Sequence, residues 1–413
     1  MVKGWVEKPL CELFDFSGGV PASRAELIDK GYLYLHYGDI HATERTYIDA
    51  SAEIHMPRLN VDLNKVPLKA LLNDGDVVFV DASEDYEGAS RHVVVRNCGA
   101  VPFISGLHTI VAKAKTDELV EGFREFCFQT ATVKSQFNFY AVGTKVVGVN
   151  KSTIGKIMLR FPQSKREQRA IAAALSDTEA LIAALEKLVG KKRDIKQGAM
   201  QGLLTGKRRL EGFAGEWAET TVRDTGIRIL SGYAFRSATY VAAGRYKIVT
   251  IANVQQNRLD TANCSTVNQL PADLQEHQLL RRGDILISLT GNVGRTCQVN
   301  EDALALNQRV GLFANITLDK MFFYYVLQDT RFIDEMALRA KGGAQPNLSN
   351  KDIYSYQLMC PPTRAEQTAI ADILSGMDAE IQALAAQLAK LRDIKQGMIS
   401  ELLTGRVRLI QEV

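Results

Sequence analysis

The stretch KKRDIKQGAMQGLLTGKRRL (191–210) returns near the end of the chain as AKLRDIKQGMISELLTGRVRL (389–409). Arg392 stands 199 positions after Arg193 (392 minus 193), and the same offset sets Leu402-Leu403-Thr404-Gly405 on Leu203-Leu204-Thr205-Gly206. Upstream it sets Glu366-Gln367 on Glu167-Gln168, Leu374-Ser375 on Leu175-Ser176 and Pro361 on Pro162, without a gap. A match this long is a duplication, and a duplication limits the folds available, because each copy must find an equivalent place. Looser matches extend it. GWVEKPLCEL (4–13) resembles EWAETTVRDT (216–225), LLNDGDVVFV (71–80) resembles LLRRGDILIS (279–288), and AVGTKVVGVNKSTIGKI (141–157) resembles AKGGAQPNLSNKDIYSY (340–356). The chain reads as a variable globular unit and a well-kept helical unit, twice over: 1–160, 161–210, 211–360 and 361–413.

Both well-kept units begin after proline, in FPQSKREQ and CPPTRAEQ. Ser164 and Thr363 are natural N-caps, and Glu167 and Glu366 follow at capping-box spacing. Apolar residues then recur in steps of three and four: Ile171, Leu175, Thr178, Ile182, Leu185 and Val189 in the first unit. The second has Ile370, Leu374, Met377, Ile381, Leu384, Leu388 and Leu391. That is a coiled-coil seam. Gly206 and Gly405 sit where a left-handed cap would end each helix, after a rod of roughly 60 Å. Two such seams in one chain predict an antiparallel pair; the alternative is two surface helices, each docked on its own globe. Lys191-Lys192-Arg193 is either a nucleic-acid patch or a charged last turn that complements the helix dipole.

The variable units carry short apolar runs such as YLYLHYGDI, DVVFVDA and LHTIVAKAK, and RYKIVTIANV, DILISLTG and RVGLFANI, punctuated by Gly-Asp turns. Helical stretches follow near 118–128 and 319–339, which makes each unit α+β. Polar loops interrupt the runs. In the second unit they are LSGYAF (230–235), SLTGNVGRT (288–296), LNQRVG (306–311) and AKGGAQPNLS (340–349); in the first, DFSGGVPAS, SEDYEGASRH, ISGLHT and AVGTKVVG. Any one such loop is most simply an ordinary turn. Four in register in both halves, in the second unit rich in Asn, Gln, Arg and Lys beside Gly, suit contact with base edges and phosphates.

Catalytic signatures are missing. No glycine-rich cofactor loop follows a strand, GLLTGKR lacks the spacing and the Ser/Thr of a phosphate loop, and the histidines form no H-E-x-x-H. Asp194-x-Lys196 and Asp393-x-Lys395 read as solvated pairs on a helix. His36, Asp39 and His41 on a strand-like run read as structural. The six cysteines form no C-x-x-C pair and read as buried free thiols of a reducing compartment. No stretch reaches the ~18 apolar residues of a membrane span, and the start, MVKGWVEKPL, lacks a signal-peptide core. A cytoplasmic protein without a membrane partner is expected. A net charge of +3 permits nucleic-acid binding without arguing for it.

The order of parts resembles the specificity (S) subunit of type I restriction-modification enzymes. RDIKQGAMQGLLTGKRRLEGFAGEW and RDIKQGMISELLTGRVRL look like that family's conserved helices. GDILISLTGNVGRT, LNQRVG and GGAQPNLSNKDI look like its second target-recognition loops. The resemblance implies two pseudo-symmetric target-recognition domains joined by a pair of long antiparallel coiled-coil helices. It implies no catalysis and no cofactor on this chain. The expected partners are double-stranded DNA, two methyltransferase (M) subunits carrying S-adenosylmethionine, and restriction (R) subunits using ATP and Mg. Each variable unit would read half of a split target, with the helices as spacer and as M docking sites. The candidate DNA-binding residues are Gly18, Gly19, Ser90, Arg91, His108, Thr144 and Lys145 in the first unit. In the second they are Gly232, Tyr233, Thr290, Asn292, Arg295, Asn307, Gln308, Arg309, Lys341, Gln345 and Asn347. Arg295 and Arg309 suit guanine, and Gln308, Gln345 and Asn347 suit adenine. Readings from other classes are a methyltransferase fused to recognition domains, a scaffold linking two protein-binding heads, and an alternative or silent S chain.

Overall fold

The computed structural model describes residues 2–410 apart from 44, 53–55, 85–87, 89–90, 144–146 and 341–345. It divides into two compact units, 1–186 with 386–413, and 187–385. Two helices of 39 residues, Lys165–Leu203 and Arg364–Leu402, each contribute their first part to one unit and the remainder to the other. Within each unit the two helical segments run antiparallel, as their cross-pairs record. In the first unit Lys395 pairs with Glu179 at 2.6 Å and Arg392 with Glu186 at 2.6 Å. In the second Lys196 pairs with Asp378 at 2.6 Å and Lys192 with Glu380 at 2.6 Å. Lys196 and Lys395 are therefore cross-helix partners rather than members of solvated pairs on their own helix. The seam is deepest at the helix starts, where Ile171, Leu175, Ile370 and Leu374 are fully buried; Ile182, Leu185, Ile381 and Leu384 are only half-buried. The reason is geometric: near the starts a sheet covers the seam, and two helices alone leave their flanks open to water.

The helix starts also correct the capping-box expectation. Ser164 and Thr363 do accept from the amides of Glu167 and Glu366, at 3.4 and 3.3 Å. The glutamate side chains, however, leave the cap. Glu366, with its side chain wholly buried, accepts two hydrogen bonds from Arg209 at 2.9 Å and one from Trp217 Nε1 at 3.2 Å. Glu167 accepts from Arg408 in the same bidentate way, with Nη2–Oε2 at 2.7 Å. A buried carboxylate needs a charged, hydrogen-bonded partner, and the repeat places an arginine after each helix to supply one. Gly206 and Gly405 turn the chain there with φ of +72° and +73°. A Cβ would meet the Trp217 ring at 3.2 Å in one case and the Trp5 ring at 2.8 Å in the other, so the turn needs glycine for both conformation and space. The neighbouring glutamines bind the globes. Gln168 accepts from Val120 N at 2.9 Å and donates to Glu118 O, and Gln367 accepts from Asp319 N at 2.8 Å.

Each globular part starts with a strand paired to the one that enters the long helix: Trp5–Pro9 on Met158–Pro162, and Ala218–Thr221 on Gln357–Cys360. The first unit adds a five-stranded sheet in the order Phe14–Gly18, Thr109–Ala114, Val77–Val80, His92–Arg96, Tyr47–Asp49. The second has the corresponding order Arg228–Ser231, Val310–Ala314, Ile285–Ser288, Thr296–Gln298. A smaller sheet in each contains a parallel pair, Tyr32–Leu35 with Phe103–Ser105 and Tyr246–Val249 with Leu304–Leu306. Val77–Val80 is buried on both faces, which its unbroken apolar run requires. Helices Glu121–Cys127 and Ala131–Tyr140 correspond to Lys320–Gln328 and Thr330–Arg339. In each unit the sheet, these helices and the helix starts share one core.

Two local expectations fail. YLYLHYGDI is a strand only through Leu35; His36 then caps helix Tyr37–Ala42 by accepting from Gly38 N at 3.1 Å. Of the cysteines, all free, Cys127 and Cys297 are buried and burial pushes the Cys297 thiol up to about 12, but Cys11 and Cys98 are exposed. No helix among the described residues is long and apolar enough to cross a membrane.

Replacing Glu366 by Ala strands the Arg209 guanidinium and the Trp217 indole. The expected loss is about 3 kcal/mol of stability, read as a lower urea midpoint. Glu167→Ala should lose a similar amount; a loss within ~0.5 kcal/mol for both, the range of ordinary surface changes, would contradict the clamp.

Candidate nucleic-acid interface

In the second unit four polar loops converge beyond the ends of the sheet strands. Tyr233 bridges to Asn307 in parallel register, and Gln308 N donates to Tyr233 O at 3.0 Å. Leu289 N donates to Arg309 O at 3.1 Å. Thr290 bridges to Asn347, Leu348 N donates to Leu289 O at 2.8 Å, and Gly291 N to Pro346 O at 3.1 Å. These backbone links lock segments from distant parts of the sequence into one surface. Gly232 fits only without a side chain: a Cβ would lie 2.3 Å from the carbonyl oxygens of Leu306 and Asn307. Asn292, Gln308, Arg309 and Asn347 are exposed on this surface. The Tyr233 hydroxyl donates to Asp273 at 2.9 Å, a bond that raises its pKa, and its ring stands against Phe235. Arg295 is half-buried and donates to Gln255. Thr290 Oγ1 is buried and has no partner among the described residues.

The first unit builds the same junction from other residues. Val80 N donates to Arg91 O at 3.0 Å, as Ser288 N does to Arg295 O at 2.9 Å. Asp81 N donates to His108 O at 3.1 Å, as Leu289 N does to Arg309 O. Gly106 N meets Leu35 O at 2.9 Å, as Asn307 N meets Val249 O at 3.0 Å. Val147–Gly148 pairs with Ala82–Ser83 in the place of the Thr290–Asn347 bridge. Arg91 thus stands at the position of Arg295, His108 at that of Arg309, and Gly19 near that of Gly232. Gly19 packs against the Gly106 carbonyl so tightly that a Cβ would be 1.8 Å away. Gly18 ends its strand opposite Ile110. The Arg91 guanidinium donates to His41 O at 2.6 Å. His108 Nδ1 lies 3.0 Å from Asp81 Oδ1.

Comparison with known proteins fits this geometry. Residues 215–392 match the family described as type I restriction modification DNA specificity domain. The chain is 26% identical over 306 residues to the type I restriction enzyme MjaVIII specificity subunit of Methanocaldococcus jannaschii, covering 69% of this chain and 70% of that protein. This chain is thus similar to the type I restriction-modification specificity subunits. The fold agrees. The crystal structure of the S subunit from M. genitalium superposes with a TM-score of 0.59 at 16% identity, over 96% of each chain. A structure from work on assembly and conformational transition of the type I restriction-modification system also gives 0.59, at 16% identity over 98% and 99% of the two chains.

Ser90, Thr144, Lys145, Lys341 and Gln345 lie outside the described residues. Sequence reasoning missed several residues of these surfaces: Asp81 and Tyr37 beside His108, Asp273 on Tyr233, and Gln255 on Arg295. Asp81 carried a usable signal, since it directly follows the buried run VVFV in the place where Leu289 follows ILIS. Asp273 and Gln255 lie in stretches with no counterpart in the repeat and gave none.

Proposed function

We propose that this chain reads a bipartite, asymmetric DNA target without catalysing any step itself. In this reading 1–160 and 211–360 are the two target-recognition domains, and 161–210 and 361–413 are helices that set the distance between half-sites and dock two M subunits. R subunits join through those M subunits. S-adenosylmethionine, ATP and Mg belong to the partners, and the complex works in the cytoplasm. The observation that carries the reading is the pairing of like frames with unlike loop residues. Clamps, strand order and loop junctions repeat, while the tips differ: Arg309 in one unit and His108 in the other. Equal frames suit two copies of one partner, and unequal tips suit two different half-sequences. Exposed apolar residues at equivalent positions favour the doubled partner. Ile195 and Ile394 are 47% and 46% exposed, and Phe139 and Leu338, at matching places on matching helices, are 80% and 64% exposed. Such side chains suit a protein surface rather than water.

The DNA-contacting set is the one read from the sequence: Gly18, Gly19, Ser90, Arg91, His108, Thr144 and Lys145, then Gly232, Tyr233, Thr290, Asn292, Arg295, Asn307, Gln308, Arg309, Lys341, Gln345 and Asn347. Arg309 is the strongest guanine reader, being exposed with no side-chain partner among the described residues. Gln308 and Asn347, both exposed, suit adenine.

The test is methylation of a randomised DNA library by this chain reconstituted with its M subunit. Arg309→Ala should relax one position of the second half-site, at a cost of about 1–3 kcal/mol there, and leave the first half-site intact. Uniform weakening across all sequences would mark a phosphate contact instead. A four-residue insertion within 171–189 lengthens that helix by about 6 Å. It should change the spacer and leave both half-sites as they were; altered half-sites with an unchanged spacer would contradict the helix as ruler.

A further inference from the structure

His108 and Arg309 occupy the same hydrogen-bonded position at the turn that closes the central sheet, and they offer a base opposite chemistry. A guanidinium only donates. His108 is held by Asp81, whose carboxylate can only accept, so Nδ1 carries the proton of the 3.0 Å contact. In the neutral ring Nε2 is then an acceptor, and it has no partner among the described residues. The ring is fixed further by Tyr37, edge-on at 5.3 Å between centroids. His108 itself adopts a left-handed backbone with φ +56°, which holds the side chain out at the tip of the turn. Beside it opens a cleft of about 480 Å³ lined by Tyr37, His41, Ser83 and Glu84. With Glu84 lining this cleft and Asp81 holding His108, the corner disfavours the O6 acceptor of guanine and favours an N–H donor.

Resting on the reading of two half-sites, we propose that His108, oriented by Asp81, is a specificity-determining residue of the first half-site. It takes the exocyclic amine of an adenine or a cytosine where Arg309 in the other unit takes a guanine. The first half-site thus carries an amine-bearing base at the position this turn reaches. Asp81 acts as a positioning residue, and Tyr37 sets the ring plane.

The experiment uses the full chain in complex with its M subunit and duplexes in which each adenine or cytosine of the first half-site is replaced in turn by purine or 2-pyrimidinone, which lack the amine. The wild-type complex should lose affinity roughly tenfold at one position. His108→Ala should no longer distinguish the base from its analogue there, while still discriminating at the second half-site, which shows the chain is folded. His108→Gln, which keeps an outward acceptor, should recover part of the discrimination at that position alone, and the comparison of Gln with wild type decides if the Ala variant does not fold. Wild-type sensitivity to every analogue retained by His108→Ala, or no sensitive position in the wild type, overturns the proposal. A wild-type complex without any sequence preference would remove the two-half-site reading itself, and the proposal with it.

Discussion

A glutamate without access to water decides how this chain closes. Glu366 and Glu167 sit in the first turns of the two long helices, their side chains buried. A carboxylate there is tolerable only if charged donors meet both oxygens. Arg209 and Arg408 do so, each from the tail that follows the other helix. The end of one helix is thereby tied to the start of the next. The seam above the clamp is left with one register, and the glycine turn and tryptophan beside it have one place to go. The two clamps differ in one detail: Trp217 donates to Glu366, while Trp5 Nε1 is buried without a partner among the described residues. Trp5 instead lies against Gly405, filling by packing the place its counterpart holds partly by a hydrogen bond.

From these clamps each globular part inherits its position through Gln168 or Gln367 and through the strand that enters the helix. The loops need carry none of that load. They are joined by backbone hydrogen bonds whose pattern repeats between the units, so their side chains can differ without moving the frame. This division explains why the helices have kept a gapless repeat while the loops have not. It also explains how His108 and Arg309 share a position although the sequences around them share little.

What the sequence made legible follows from the range of the interactions. The seam, the helix starts and the glycine turns are local patterns, with periods of three and four and a single left-handed residue, and they stand where the spacing put them. The glutamates were misread as capping boxes because their true partners lie 157 and 241 residues away, beyond any local rule. The strand reading of YLYLHYGDI failed at His36, where a side-chain nitrogen caps a helix that apolar alternation does not reveal. At the loop junctions, the tight glycines and the polar tips Gln308, Arg309 and Asn347, which stand exposed, are residue types that the sequence displays directly. That Arg295 would bond to Gln255, and that Asp81 would meet His108, depended on loops meeting in space. The match of His108 to Arg309 required the backbone register.

The claim that matters most is that this chain alone decides which DNA sequence is modified. Genome-wide mapping of N6-methyladenine in the host, with and without the gene, tests it most directly. The expected result is the loss of one split motif on deletion and its return on complementation. A methylome unchanged by deletion of the expressed protein would contradict the account.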